Sequence, residues 1–177
     1  MTRCYQRRNY RSLTRCWVAV RDTGAICLLL VLGGGLAIHA QTTGKVYSPQ
    51  RIREIGRHLE LQLQSSDAPT DGIAEERMSG STRVAMRSKS GRAEFHVSAE
   101  DVFFVLSGGA TLISGGSIVN PKGEGEIRGT LIAGGTSTVI RQGDVVHIPA
   151  ATPHQLLLKP RTSILYFVVK VPATNKP

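Results

Sequence analysis

Four residues carry the chemistry that this sequence offers: Glu94 and His96 in EFH, Asp101 shortly after, and His154 at the end of GDVVHIPAATPH. Two imidazoles and two carboxylates form a ligand set for a divalent metal that is not soft. Glu94 and His96 stand two apart in a stretch that reads as strand, so both side chains point to one face. Buried among Phe, Val and Leu, such groups are costly without a partner. A divalent cation supplies that partner and keeps the neighbouring acids ionised. With no sulfur on offer, Mn, Fe, Zn, Ni and Co are all compatible with the set. The alternative is a metal-free site in which His96 and Asp101 merely share a hydrogen bond. Glu100 competes with Asp101 for the acidic position, and the six residues between Asp101 and Gly108 favour Asp101. His147 is expected to be packed or half-exposed within a strand, outside the ligand set but able to support it from behind.

The elements that must position these residues are mostly strands. Ser48-Pro49 reads as an N-cap followed by proline at the first helical position. Ile52, Ile55 and Leu59 then predict a short amphipathic helix from Pro49 to about His58 or Glu60, while LELQLQ fits either a helical continuation or a strand. His58 is expected on its surface. Ser65–Ser81 is small, polar and charged, and reads as a loop or lid. From Thr82 onward the pattern is β: Thr82–Arg87, Ala93–Ser98, DVFFVL, ATLISG, segments around 127–133 and 137–141, VVHIP, and SILYFVVKV. Glycine pairs at 108–109, 115–116 and 134–135 separate apparent strands as hairpin turns would. None opens a helix after a strand, so a phosphate-cradling loop is the weaker reading. Many short strands without intervening helical periods indicate an all-β sandwich or small barrel. Phe103, Phe104, Tyr166 and Phe167 are expected to pack the core and sheet.

The spacing resembles that of the cupin superfamily. Glu94-x-His96, four residues, Asp101, six residues and Gly108 match the first cupin motif, in which two histidines usually flank one residue and a glutamate follows. Gly143, five residues, Pro149, Ala150, Ala151, two residues and His154 match the second. The resemblance covers roughly residues 82–171 and implies a jelly-roll β-barrel preceded by the N-terminal helix. Family metal binding carries over directly to His96 and His154, with Asp101 a conservative acid. Glu94 stands in place of a histidine, Ala151 in place of a glycine, and Leu158 where asparagine is common. Dimerisation is common in proteins of this kind, and a homodimer would be sought along the N-terminal helix and the last strand.

The first forty residues read differently. Six arginines precede the apolar run Ile26–Ile38, and Ala40 closes a small-residue site, as in a secretory signal peptide. The alternative is an uncleaved anchor, but the run is shorter than the ~20 residues a spanning helix needs. All three cysteines lie in this leader, so the remainder has no thiol for disulfides, metal ligation or nucleophilic catalysis. Six of the 22 basic residues and one of the 13 acids also lie here, so the leader carries more than half of the formal +9. The remaining charges are scattered without interleaved aromatics, which argues against nucleic-acid binding. The expected organisation is a signal peptide (1–40), a helix and polar loop (41–81), a barrel (82–171) and a tail (172–177). The expected protein is secreted or periplasmic, with no stable membrane span after cleavage. It binds a divalent metal and a small molecule, either as a dioxygenase, isomerase or lyase, or as a non-catalytic module holding a sugar or small acid.

Overall fold

The computed structural model describes residues 44–173, and the leader expected over 1–40 lies outside them. Helix α1 spans Pro49–Gln64, capped by the Ser48 hydroxyl, which accepts from the Arg51 backbone N–H at 3.2 Å. Pro49 at the helix start loses nothing, because its missing N–H would be unbonded there. Ile55 and Leu59 are fully buried against Val84, Met86 and Leu165. Each such burial stabilises the helix's docking by about 2 kcal/mol. The ambiguous LELQLQ continues the helix. Leu59 and Leu63 lie four apart on the packed face, while Leu61 is exposed. His58 is exposed and meets only Gln62. No helix among the described residues is long and apolar enough to cross a membrane.

Eleven strands follow: β1 Ile73–Arg77, β2 Thr82–Arg87, β3 Ala93–His96, β4 Ala99–Ser114, β5 Ser117–Val119, β6 Glu126–Gly129, β7 Leu131–Ala133, β8 Thr136–Arg141, β9 Val145–Ile148, β10 His154–Leu157 and β11 Ile164–Pro172. Every pairing among them is antiparallel. The main sheet runs β1-β2-β11-β4-β10-β3-β6, with β8 and β9 also on β4, and it curls into a half-barrel around its apolar face. Strands β5 and β7 form a separate pair.

Three expectations need correction. The stretch 65–81 is not all loop. Ile73–Arg77 forms the edge strand β1, whose polarity reflects its position at the rim with one side wet. The segments around 127–133 form two strands, β6 and β7, rather than one. Gly108–Gly109 is not a hairpin turn. DVFFVL and ATLIS are halves of one strand, β4, which pairs with β11 and β9 before the glycines and with β8 and β10 after them. Gly108 has φ +72°, and a Cβ there would meet the Ser163 carbonyl oxygen, so only glycine lets the strand bend between the two layers. The pairs at 115–116 and 134–135 do lie between strands, with Gly115, Gly116 and Gly134 all at positive φ.

The inner face packs Phe103, Val105, Leu112, Ile140, Ile148, Leu156, Ile164 and Val168, with Phe103 and Tyr166 rings 5.3 Å apart. Phe104 and Phe167 pair on the outer face. Strand β2 inverts the usual alternation. Val84 and Met86 face α1, while Arg83 and Arg87 line the interior cavity with Ala85 between them in the core. The helix covers the outer face of this strand, which leaves the inner face to carry charge.

Candidate metal centre

The site is assembled from cross-strand pairs. Glu94 on β3 is the direct partner of His154 on β10. Across the other edge of β3, Glu94 faces Arg128 and His96 faces Glu126. Asp101 on β4 faces Lys170 on β11. Opposed side chains in an antiparallel pair lie close enough to interact, so the register itself brings seven charged or imidazole groups together at one end of the curled sheet.

Glu94, His96 and His154 each offer one ligand atom, all within 4.8 Å of one another, and could hold a metal ion. Asp101 stands outside this three-donor set but meets both imidazoles. Its Oδ2 is 3.1 Å from His96 Nε2 and 3.5 Å from His154 Nε2. His96, Asp101 and His154 are each only 4% exposed, so nothing here is solvated in the ordinary way. Glu100 turns to the opposite face and bonds His147 at 2.7 Å. His147 is exposed and makes no approach to this cluster.

The hydrogen bonds set which ring nitrogens face the site. His154 Nδ1 lies 3.0 Å from the Thr152 carbonyl, which only accepts, so Nδ1 carries a proton and Nε2 is the nitrogen turned to the site. His96 Nε2 lies 2.9 Å from the Lys170 ammonium and 3.1 Å from the Asp101 carboxylate. His96 Nδ1 lies 3.4 Å from Glu126 Oε1 with no hydrogen bond formed. Two imidazole nitrogens and a carboxylate oxygen therefore converge, an arrangement that suits a cation. The donor chemistry suits a metal of the nitrogen–oxygen class.

Sequence reasoning missed the cation already present. Lys170 Nζ lies 3.2 Å from Asp101 Oδ1 and 3.5 Å from Glu126 Oε1, besides its bond to His96. Burial pushes the Asp101 carboxyl up, but the contacts to His154 and His96 and the charge of Lys170 outweigh it, and the group stays far below the usual carboxylate range. Burial likewise raises Glu126, and Lys170, His96 and Arg128 hold it below its ordinary value. Lys170 shares strand parity with buried Tyr166 and Val168, and that signal could have placed it inside. Glu126, Arg87 and Arg128 were also missed. Glu94 Oε1 accepts from Arg87 and Arg128, both at 3.3 Å, while its Oε2 faces His96 at 3.7 Å.

The last piece is the turn before β10. Ala151 adopts φ +57°, the left-handed conformation that suits the glycine usual at this slot, and its N–H bonds the His96 carbonyl at 2.8 Å. Thus the segment Gly143–His154 returns to the strand that carries Glu94 and His96, and the two separated motifs close on one site. This curled antiparallel sheet is consistent with a cupin barrel.

Solved structures similar to this chain include a predicted oxalate decarboxylase from Thermotoga maritima, at 13% identity and TM-score 0.38 over 51% of this chain and 64% of that one. The TT1209 protein of Thermus thermophilus is 14% identical with TM-score 0.43, over 59% of this chain and 88% of that one. The capsular polysaccharide assembling protein CapF of Staphylococcus aureus gives 14% and 0.43, over 60% of this chain and 30% of that one. The chain thus spans under two thirds of the length of the first and third of these. No family model matches the chain, and no curated protein matches it.

Proposed function

We propose that this cupin binds a divalent metal through Glu94, His96 and His154, with Asp101 beside them, and takes a small molecule in the adjoining cavity. The supporting observation is the convergence of the two imidazoles on one acid: both Nε2 atoms lie within 3.5 Å of Asp101 Oδ2, with Thr152 holding the His154 ring from its other nitrogen. When bound, the metal would act as a Lewis acid on a substrate oxygen. The chain's own residues would do the rest. Arg87 and Arg128 hold Glu94 from one oxygen and so orient the other. Lys170, beside His96, is placed to hand a proton to a ligand in the site. This favours an isomerase or lyase over a dioxygenase among the enzyme readings, because a proton carrier stands next to the donors. With the leader read from the sequence, the proposed place of action is outside the cytoplasm.

A second reading, a non-catalytic module for a small ligand, draws on the same lysine. Its ammonium already gives the imidazole and the carboxylate a cation.

The test is elemental analysis of untagged protein beside the His96→Ala, Asp101→Ala and His154→Ala variants. One divalent ion per wild-type chain is expected, with loss in the variants. Equal metal content in all four preparations would defeat the proposal.

A further inference from the structure

A cavity of about 240 Å³ opens beside the proposed metal centre and shares Glu94, Asp101 and His154 with it. Four arginines line it: Arg83 and Arg87 from β2, Arg92 just before β3, and Arg128 from β6. Strand parity puts the first two on one face, four residues apart with only Ala85 between them on that face. Arg87 is only 9% exposed, yet its Nε makes no hydrogen bond, since Glu94 engages Nη2 instead. Arg83 repeats the pattern. Its Nε lies 3.1 Å from Glu75 Oε1 at an angle that forms no hydrogen bond. Buried donors without acceptors are uncommon and mark a place where a ligand can complete the set.

The charge of the lining points the same way. Against the four arginines stand Asp71, Glu75, Glu94 and Asp101, so with neutral histidines the wall is balanced. A divalent ion at Glu94, His96 and His154 would leave an excess of two positive charges. Guanidinium groups are the planar forks that match carboxylates. The volume is below the range typical of drug-sized ligand sites, so the occupant is small. Gln155 contributes no selectivity, because its amide is already bonded to Gly91 and Ile132.

We infer that this cavity binds a small carboxylate anion, and a dicarboxylate better than a monocarboxylate, through Arg83, Arg87, Arg92 and Arg128. The inference deepens the proposed function and rests on it only for the tighter binding expected once a metal is present; the arginines alone suffice for recognition.

The test is calorimetric titration of malonate, and of its neutral diamide malonamide, into the full chain after chelation and again after reloading with Mn²⁺. Malonate is expected to bind the metal-free protein at least tenfold more tightly than malonamide, and more tightly again after reloading. Arg83→Gln and Arg92→Gln, each at a partly solvated position, should each weaken malonate at least fivefold with melting temperatures close to the parent's. Equal affinity for malonate and malonamide would overturn the inference, as would parental affinity in both variants. Malonate binding only to the reloaded protein would also overturn it while leaving the metal proposal intact. Malonate binding to protein that takes up no Mn²⁺ would uphold the anion site and defeat the metal proposal.

Discussion

Lys170 and Asp101 are direct cross-strand partners on β11 and β4, and their charged atoms lie 3.2 Å apart within the half-barrel. The same ammonium is 2.9 Å from His96 Nε2. It therefore satisfies, in the absence of another cation, the groups that a metal would claim. Two positive charges near one another in a partly buried site repel by several kcal/mol at an effective dielectric of about 20. Removing the lysine charge should consequently favour the metal.

Lys170→Met tests this, because methionine keeps most of the length and the apolar stem of the side chain without its charge. Its affinity for Mn²⁺ or Zn²⁺, measured by competition with a chromogenic chelator, should rise about tenfold or more. Without metal, the variant leaves the buried Asp101 without its ammonium partner, and it should lose about 2–4 kcal/mol of stability. Added metal should restore much of the lost melting temperature. A variant that is as stable as the parent and binds metal no better would show that Lys170 and the metal do not share a position.

Glu94→Gln separates charge from shape at the residue that links the arginines to the histidines. The carboxylate takes hydrogen bonds from Arg87 and Arg128 on one oxygen and faces His96 with the other. Burial pulls the Arg87 guanidinium down, but the neighbouring Tyr166 and Glu94 hold it above its ordinary value, so it stays charged. Loss of its main counter-charge leaves a buried cation uncompensated, at a cost of about 3 kcal/mol in thermal or denaturant unfolding. Metal affinity should fall in the same variant. If stability is unchanged and only metal is lost, the Arg87–Glu94 contact is not structural.

Much of this site was legible because spacing survives where identity does not. Glu94, His96, Asp101 and His154 fall together since each lies at a fixed offset from a strand start or a turn, and β periodicity alone fixes which side they face. Alternation also separates the two neighbouring acids: Asp101 faces inward and Glu100 outward, one residue apart. What could not be read was the register between distant strands. That Lys170 opposes Asp101, or that Glu126 opposes His96, depends on pairings that no local pattern encodes. The arginines of β2 were hidden for another reason. An alternating strand is ordinarily assigned with its apolar face inward, and TRVAMR does the reverse because α1 covers Val84 and Met86 from outside. Gly108–Gly109 misled for a third reason: positive φ serves a bend between sheet layers as readily as a reversal.

Ala151 offers a stabilising change. A non-glycine residue in the left-handed region costs roughly 1–2 kcal/mol, and Ala151 sits there with φ +57°. Its side chain is exposed, so little packing is lost on removal. Glycine gains freedom in the unfolded chain, which offsets part of the relief. Ala151→Gly should therefore raise stability by about 0.5–1 kcal/mol, seen as a melting temperature higher by roughly 2–5 °C. Metal binding should be retained, since the N–H that bonds the His96 carbonyl belongs to the backbone. A lower melting temperature would mean that the strain assigned to this turn is absent.

Gly108→Ala should act in the opposite direction and more strongly. The new Cβ would collide with the Ser163 carbonyl oxygen, part of the fixed backbone leading into β11, and φ at this position is +72°. Neither neighbour can yield cheaply, because Ile164 pairs with Gly108 itself and is fully buried. The strain terms together exceed about 3 kcal/mol. Relief requires β4 to straighten, which would pull Asp101 in its first half away from the register that His154 takes with Ser114 in its second half. Stability and metal affinity should thus fall together in this variant, although Gly108 touches no proposed ligand. Retention of metal affinity in a folded but destabilised Gly108→Ala protein would show that the bend stabilises the sheet without aligning the site.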